Sequence, residues 1–174
     1  MQLYFLRHGK AGDRDEWTGP DFERPLTAEG REEMRAVARG LRALDVRPDA
    51  VLSSPLVRAW QTAEIVAEEL GLPSVTDAPT LAPGCDLDLL AAALQRVRSA
   101  GAVMVVGHEP DFSTLIGLLI GGRKAPAEVE LKKGACCRVD VSGSLDSGDA
   151  LVGHGTLVWL LTSKQLARLG GPGD

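Results

Sequence analysis

Short apolar runs alternate with longer segments of helical periodicity along most of this chain. Residues 3–6, 50–52 and 102–106 are apolar throughout and show no helical period, as expected of strands buried on both faces of a parallel sheet. Between these runs, apolar residues recur every three to four positions, for example from Met34 to Leu44, which predicts amphipathic helices. Strands that alternate with helices indicate an α/β architecture.

Local signals predict where the helices begin. Thr27 is the predicted N-cap of the first helix, because a threonine hydroxyl can accept from a free backbone N–H group at a helix start. Ser54, with Pro55 at the first helical position, is expected to begin the second helix. Asp86 and Asp111 are the predicted N-caps of the next two helices.

The last third of the chain has a different pattern. Apolar and polar residues alternate over residues 135–141, which predicts a half-buried strand, and residues 156–161 predict a further strand that pairs with it as a hairpin. We therefore predict a three-layer sandwich with a mostly parallel central sheet, an antiparallel edge and helices on both faces. One domain is expected over residues 1–174, which is long enough for one well-buried core.

Residues capable of chemistry follow each apolar run. Arg7, His8 and Gly9 come directly after the first run, Arg58 follows the second by a few residues, and His108 follows the third. In an open α/β sheet, ligands bind at the carboxyl ends of the strands, and a glycine there allows a close approach of the backbone. These side chains are therefore predicted to share one pocket.

Arg58 has an unfavourable position for a cation. It falls in the first turns of the second predicted helix, where the helix dipole disfavours a positive charge by roughly 0.3–1 kcal/mol. An anionic ligand bound beside it would explain the arginine, because the helix amides and the guanidinium would then bind one phosphate or carboxylate together. The alternative is a surface arginine that extends into water.

Charge and cysteine content exclude several classes of function. The chain has 24 acidic and 19 basic residues, so it has no basic field for a nucleic acid. No apolar run suits a signal peptide or a membrane span, and we expect a cytoplasmic protein. The odd count of three cysteines argues against a disulfide framework, and the spacing of His, Cys and carboxylate residues supports no metal site. We predict neither a metal nor a cofactor.

Two arginines and two histidines in one pocket suit a phosphoryl group. Guanidinium groups match phosphate oxygens with two parallel hydrogen bonds. Imidazole is also a competent nucleophile, so a phosphoryl group held by the arginines could pass to a histidine nitrogen. The residues alone thus predict a phosphate site that is capable of covalent catalysis.

At these positions the chain resembles the histidine phosphatase superfamily, whose mark is Arg-His-Gly straight after the first strand. Its size and its Arg-Pro-Leu-Thr segment are most similar to the small bacterial phosphohistidine phosphatases of the SixA type. The matching segments are residues 7–9, 24–27 with Gly30, 53–55 with Arg58 and residues 61–63, and 107–108.

The resemblance implies roles for individual residues. His8 would attack phosphorus and become transiently phosphorylated, while Arg7, Arg58 and His108 would bind and neutralise the phosphoryl oxygens. Arg24 either belongs to the rim of the pocket or anchors the loop around it. The residues implied for substrate binding are Arg7, Arg58, His108, Gly9 and Arg24.

The chain departs from many relatives at residues 81–84, where enzymes with alcohol leaving groups place a glutamate as general acid. No glutamate occurs there, and whether Asp86 or Asp88 takes that role stays open. The leading hypothesis is a metal-independent phosphatase, monomeric, that acts on phosphohistidine in a protein. The alternatives are a phosphatase of a small metabolite, such as a sugar phosphate or nucleotide, and a non-catalytic phosphate-binding module.

Overall fold

The protein, described by a computed structural model over residues 1–72 and 74–171, folds as six strands and five helices. The strands are Gln2–Arg7 (β1), Ala50–Ser53 (β2), Thr76–Asp77 (β3), Ala102–Gly107 (β4), Cys136–Val141 (β5) and Gly155–Leu161 (β6). The helices are Ala28–Ala43 (α1), Val57–Glu69 (α2), Leu87–Gln95 (α3), Asp111–Gly121 (α4) and Ser163–Leu169 (α5).

All six strands form one sheet in the order β3-β2-β4-β1-β5-β6. The four strands β1 to β4 are parallel to one another, whereas β5 pairs antiparallel with β1 and β6 antiparallel with β5. The predicted fold class, a mostly parallel sheet with an antiparallel edge, is therefore confirmed.

The central strand β1 packs on both faces, as its uninterrupted apolar sequence predicts. Leu3 and Phe5 belong to the core formed with α3 and α4, and Tyr4 and Leu6 to the core formed with α1, α2 and α5. Phe5 and Phe112 meet edge to face at 5.2 Å in the first of these cores. Helices thus cover both faces of the sheet, and the edge at the strand ends is left for a site.

Two of the four predicted N-caps are present. Thr27 Oγ1 accepts from the N–H group of Gly30 (2.9 Å) and caps α1. Asp86 Oδ1 accepts from the N–H group of Leu89 (2.9 Å) and caps α3. In both cases the side chain accepts from the backbone N–H group three residues further along the chain, so the local sequence was sufficient to predict the contact.

The predicted starts of the other two helices were wrong. α2 begins at Val57 instead of Pro55 and has no side-chain cap; Ser54 Oγ accepts from the N–H group of Leu56 (3.3 Å), just before the helix, and lies 2.8 Å from His108 Nε2. α4 begins at Asp111 itself, whose carboxylate accepts from the N–H groups of Gly84 and Cys85 in another loop. Ser54 and Asp111 thus both bind groups that are distant in the sequence, which the local pattern could not predict.

The three cysteines are free and buried. Within residues 1–72 and 74–171, no group of three or more His, Cys, Asp or Glu side chains is placed to hold a metal ion. None of the helices described is both long and apolar enough to cross a membrane.

Candidate active site

The ends of β1 and β4 place two histidines side by side. The two strands are parallel neighbours in which Arg7 is paired with Gly107, so the following residues, His8 and His108, leave the sheet at the same edge. Their ring centroids are 5.1 Å apart. Two residues that are 100 positions apart in the sequence thus face the same site.

A pocket of about 670 Å³ opens at this edge. Four of the predicted site residues line it together: Arg7, His8, Arg58 and His108, with Arg24 beside them. Six arginine and lysine side chains and three carboxylates line it in all, which makes the pocket positive in an acidic chain. Gly9 is not among the lining residues. The remaining lining residues are Lys10, Ala11, Gly12, Asp13, Arg14, Asp21, Thr27, Pro83, Glu109 and Lys133.

His8 is held in one tautomer by the backbone. Its Nδ1 lies 2.8 Å from the carbonyl oxygen of Gly9, and because a carbonyl oxygen can only accept a hydrogen bond, Nδ1 is the nitrogen that is protonated. Burial outweighs this hydrogen bond and, with His108 and Arg58, lowers the pKa of His8 from 6.5 to about 3. At neutral pH, His8 therefore has an unprotonated Nε2 with a free lone pair.

His108 is also buried and neutral. Its Nε2 lies 2.8 Å from Ser54 Oγ, whereas its Nδ1 has no hydrogen-bond partner. Burial, followed by the positive charge of Arg58, lowers the pKa of His108 from 6.5 to about 4. Both histidines of the pocket are therefore uncharged at neutral pH, and the arginines supply its positive charge.

Arg58 is buried next to a carboxylate that belongs to the protein itself. Its side chain is 5% exposed, its Nη1 donates to the carbonyl oxygen of Asp21 (2.8 Å) and its Nη2 to Asp21 Oδ2 (3.0 Å). The anionic ligand predicted beside Arg58 stays a prediction, and the carboxylate of Asp21 is an anion of the protein itself that contacts the guanidinium. The alternative of an arginine extended into water is excluded by its burial.

Asp21 links two arginines and is the site residue that sequence reasoning missed. Its Oδ1 accepts from Arg24 Nε (2.9 Å) while its Oδ2 binds Arg58. Partial burial opposes the charge, but hydrogen bonds and attraction from both arginines outweigh it and lower the pKa of Asp21. In the sequence, the spacing of three residues between Asp21 and Arg24 was the signal that could have indicated this ion pair. Arg24 also donates to the carbonyl oxygen of Gly12 (2.6 Å), so it lines the pocket and anchors its loop at once.

Gln61 and Thr62 in α2 form hydrogen bonds with the loops that surround the site. Gln61 Oε1 accepts from the N–H group of Leu26 (2.9 Å). Thr62 Oγ1 accepts from the N–H group of Gly9 (3.1 Å) and donates to the carbonyl oxygen of Arg58 (2.8 Å). The loop that follows the first strand is therefore tied directly to the helix that presents Arg58.

Neither aspartate considered as a general acid reaches the pocket. Asp86 caps α3, and Asp88 Oδ1 accepts from the N–H group of Gly148 (2.7 Å). Of residues 81–84, Pro83 alone lines the pocket. Glu109 does line it, but its Oε1 accepts from the N–H group of Ser113 (3.1 Å) at the start of α4.

Comparison with known proteins shows the family to which the chain belongs. The family model of the histidine phosphatase superfamily (branch 1) matches residues 3–81. The phosphohistidine phosphatase SixA of Escherichia coli strain K12 is 37% identical over 129 residues, which are 72% of this chain and 78% of SixA. The chain belongs to the histidine phosphatase superfamily.

Solved structures of histidine phosphatases extend the match over the whole fold. The structure of the protein histidine phosphatase SixA in complex with tungstate superposes with a TM-score of 0.78 at 32% identity and covers 95% of this chain and 99% of that one. The α-ribazole phosphatase of Shigella flexneri superposes with a TM-score of 0.71 at 22% identity, covering 94% and 97% of the two chains. At that identity the second match shows a common fold alone.

Buried polar atoms without a hydrogen-bond partner are concentrated at this site. Five buried side-chain nitrogen or oxygen atoms within the part of the chain that the structure describes have no hydrogen-bond partner, and three of them are Arg7 Nε, Arg58 Nε and His108 Nδ1. A buried polar group without a partner costs about 1–3 kcal/mol. All three residues line the same pocket. An oxyanion bound there would offer hydrogen-bond acceptors at the place where this cost arises.

The lowered histidine pKa values predict that this histidine phosphatase loses stability in acid. The unfolded chain takes up protons near pH 6.5, whereas folded His8 and His108 do so only near pKa values of about 3 and about 4. The contribution of these histidines to the free energy of unfolding is therefore complete above pH 6.5. It decreases as the pH falls towards those values, by up to about 1.4 kcal/mol per pH unit for each histidine.

Urea unfolding between pH 7.5 and pH 4.5 measures this dependence. His8→Asn should flatten the slope, because one histidine that resists protonation is removed. His154→Asn is the matched control, since His154 is exposed, and it should leave the slope unchanged. A His8→Asn variant with the slope of the wild type would contradict the pKa assignment.

Proposed function

We propose that this chain is a phosphohistidine phosphatase that transfers the phosphoryl group of its substrate to His8 and then to water. Membership of the superfamily, together with the similarity to SixA, supports a phosphatase. The single observation that supports the finer proposal is the state of His8. Its Nε2 is unprotonated and lies in a pocket lined by Arg7, Arg58 and His108.

In the first step, the lone pair of His8 Nε2 attacks phosphorus. A P–N bond forms, and the bond between phosphorus and the leaving group breaks with its electron pair going to the leaving group. Arg7, Arg58 and His108 bind the three phosphoryl oxygens, which holds phosphorus in line with Nε2, and the two arginines neutralise the charge of these oxygens. The hydrogen bond from His8 Nδ1 to the Gly9 carbonyl oxygen (2.8 Å) stabilises the positive ring that forms.

In the second step, water attacks the phosphorylated His8. The P–Nε2 bond breaks, its electron pair returns to the imidazole, and both protons of the water leave with the phosphate, which is released as dihydrogen phosphate. The same arginines bind the phosphoryl oxygens in both steps. We infer that the cationic side chains stabilise the negative charge that a metal ion stabilises in other phosphatases, so that neither step involves a metal ion.

Phosphohistidine is the proposed substrate because the site lacks a free acid. Among the residues that line the pocket, the carboxylates are Asp13, Asp21 and Glu109. Each accepts a hydrogen bond from another group of the protein, and hydrogen bonds and attraction from Arg24 and Arg58 outweigh burial and lower the pKa of Asp21. An imidazole leaving group needs an acid less than an alkoxide does. The names of the relatives at 37% and 32% identity agree with this substrate.

Two other functions are less well supported. A phosphatase of a small metabolite would fit a pocket of about 670 Å³ but requires an acid for its alcohol leaving group. A phosphate-binding module would need only the cations, which leaves the unprotonated Nε2 of His8 unexplained. A protein substrate, a monomeric state and a cytoplasmic location stay predictions.

Steady-state release of phosphate from a synthetic peptide that contains phosphohistidine tests the proposal. We expect many turnovers per enzyme molecule, and inhibition by vanadate in competition with the peptide. Release of no more than one phosphate per molecule would favour a binding module. Turnover of sugar phosphates or nucleotides with no turnover of the peptide would favour the metabolite phosphatase.

A further inference from the structure

Ser54 and His108 form a buried hydrogen-bonded pair beside the pocket. Ser54 follows β2, its side chain is fully buried, and its Oγ lies 2.8 Å from His108 Nε2. The N–H group of Ser54 donates to the carbonyl oxygen of Val106 in β4 (2.9 Å), which fixes the serine relative to the strand that carries His108. Ser54 is not a lining residue of the pocket, so any influence on the chemistry passes through His108.

The two possible tautomers of neutral His108 differ in how many polar atoms they leave unpaired. Ser54 Oγ already accepts from the N–H group of Leu56 (3.3 Å). If Nε2 carried the proton, the Ser54 oxygen would accept a second hydrogen bond, and its own hydroxyl proton would be left without an acceptor in the described part of the chain. His108 Nδ1 would remain unpaired as well. That tautomer leaves two buried groups unpaired, at about 1–3 kcal/mol each.

The other tautomer leaves a single group unpaired. With the proton on Nδ1, the lone pair of Nε2 accepts from the Ser54 hydroxyl group, and the remaining unpaired atom is the Nδ1–H donor of His108. A phosphoryl oxygen is an acceptor and would complete this last hydrogen bond. The geometry therefore matches a hydrogen-bond chain that runs from Leu56 through Ser54 and His108 to the ligand.

We propose that Ser54 is a positioning residue that fixes His108 in the Nδ1–H tautomer, so that the neutral imidazole donates a hydrogen bond to a phosphoryl oxygen. The role at the phosphoryl group rests on the proposed function. Without the serine, a neutral ring could turn a lone pair towards the oxygen, and two lone pairs repel each other. This matters because burial and the charge of Arg58 lower the pKa of His108 to about 4, which leaves the ring uncharged at neutral pH.

Nitrogen-15 NMR of the free wild-type protein at pH 7 tests the tautomer without any substrate. The chain has three histidines, and single His→Gln variants assign their signals. We expect His108 Nδ1 to show a directly bonded proton and Nε2 to have the chemical shift of an unprotonated nitrogen. A proton found on Nε2 would overturn the proposal. This measurement is independent of turnover, so a protein that fails to hydrolyse phosphohistidine but shows the Nδ1–H tautomer refutes the proposed function alone.

A pair of neighbouring serines provides the kinetic test. Ser54→Ala should lower kcat/KM for an aryl phosphate by about 10–10²-fold, the usual effect of removing the partner that orients a functional histidine, and His108 should lose its Nδ1–H signature. Ser53→Ala is the matched control. Ser53 is equally buried, but its hydroxyl group donates to the carbonyl oxygen of Ser54 (2.9 Å), and we expect activity within a few-fold of wild type. Equal activities of the two variants, with the His108 tautomer unchanged, would overturn the proposal. Should Ser54→Ala fail to fold, the tautomer in the wild type decides.

Discussion

Replacement of His8 by alanine should lower the turnover number by about 10⁴-fold or more, which is the scale of losing a catalytic nucleophile, while the fold stays intact. The proposed first step has no substitute for His8 Nε2, because His108 Nε2 is already hydrogen bonded to Ser54. His8 follows the end of β1 and lines the pocket. Its removal therefore leaves the packing of the strand itself in place.

Turnover of an aryl phosphate and trapping of the phosphorylated enzyme measure this effect. Brief mixing with labelled substrate, followed by a quench that avoids acid, should leave label on the wild type and none on His8→Ala. His154→Ala is the control, since His154 is the third histidine and is exposed outside the pocket. Wild-type turnover by His8→Ala, or label trapped on that variant, would show that another group is the nucleophile.

The positions of Arg7, His8 and His108 could be predicted from the sequence because they depend on local pattern and simple topology. An apolar run that is too short for a buried helix predicts a buried strand, and parallel neighbours end at the same edge of their sheet. Residues directly after two such strands must then lie close together. The observed pairing of Arg7 with Gly107 satisfies that argument.

Asp21 and Ser54 show what sequence pattern could not predict. Asp21 binds Arg58 across 37 positions of the chain, and Ser54 binds His108 across 54. For Ser54 the local signal was misleading, because a serine before a proline predicts a helix N-cap. Ser54 Oγ instead lies 2.8 Å from Nε2 of His108, which follows a distant strand, and this contact becomes apparent only once the strands are paired.

The substrate preference of the enzyme should follow from its lack of a free acid. When phosphorus passes to His8, an alkoxide leaving group needs a proton in the transition state. A histidine leaving group departs as neutral imidazole when the far nitrogen of its ring is protonated, and the conjugate acid of imidazole has a pKa of about 6.5. We expect kcat/KM for phosphohistidine and aryl phosphates to exceed that for alkyl phosphates by about 10²–10⁴-fold, the usual contribution of a general acid.

Measurement of kcat/KM for a phosphohistidine peptide, an aryl phosphate and a sugar phosphate tests this preference directly. Equal values for the sugar phosphate would mean that a carboxylate of the pocket is protonated and acts as the acid. Asp13→Asn, Asp21→Asn and Glu109→Gln would then identify it, because all three residues line the pocket and only the variant of the true acid would lose activity on the alkyl substrate selectively. Asp88→Asn is the matched control, since Asp88 binds the N–H group of Gly148 and lies outside the pocket. If the preference holds, none of the four variants should change the ratio between the substrates, because none of these carboxylates protonates the leaving group.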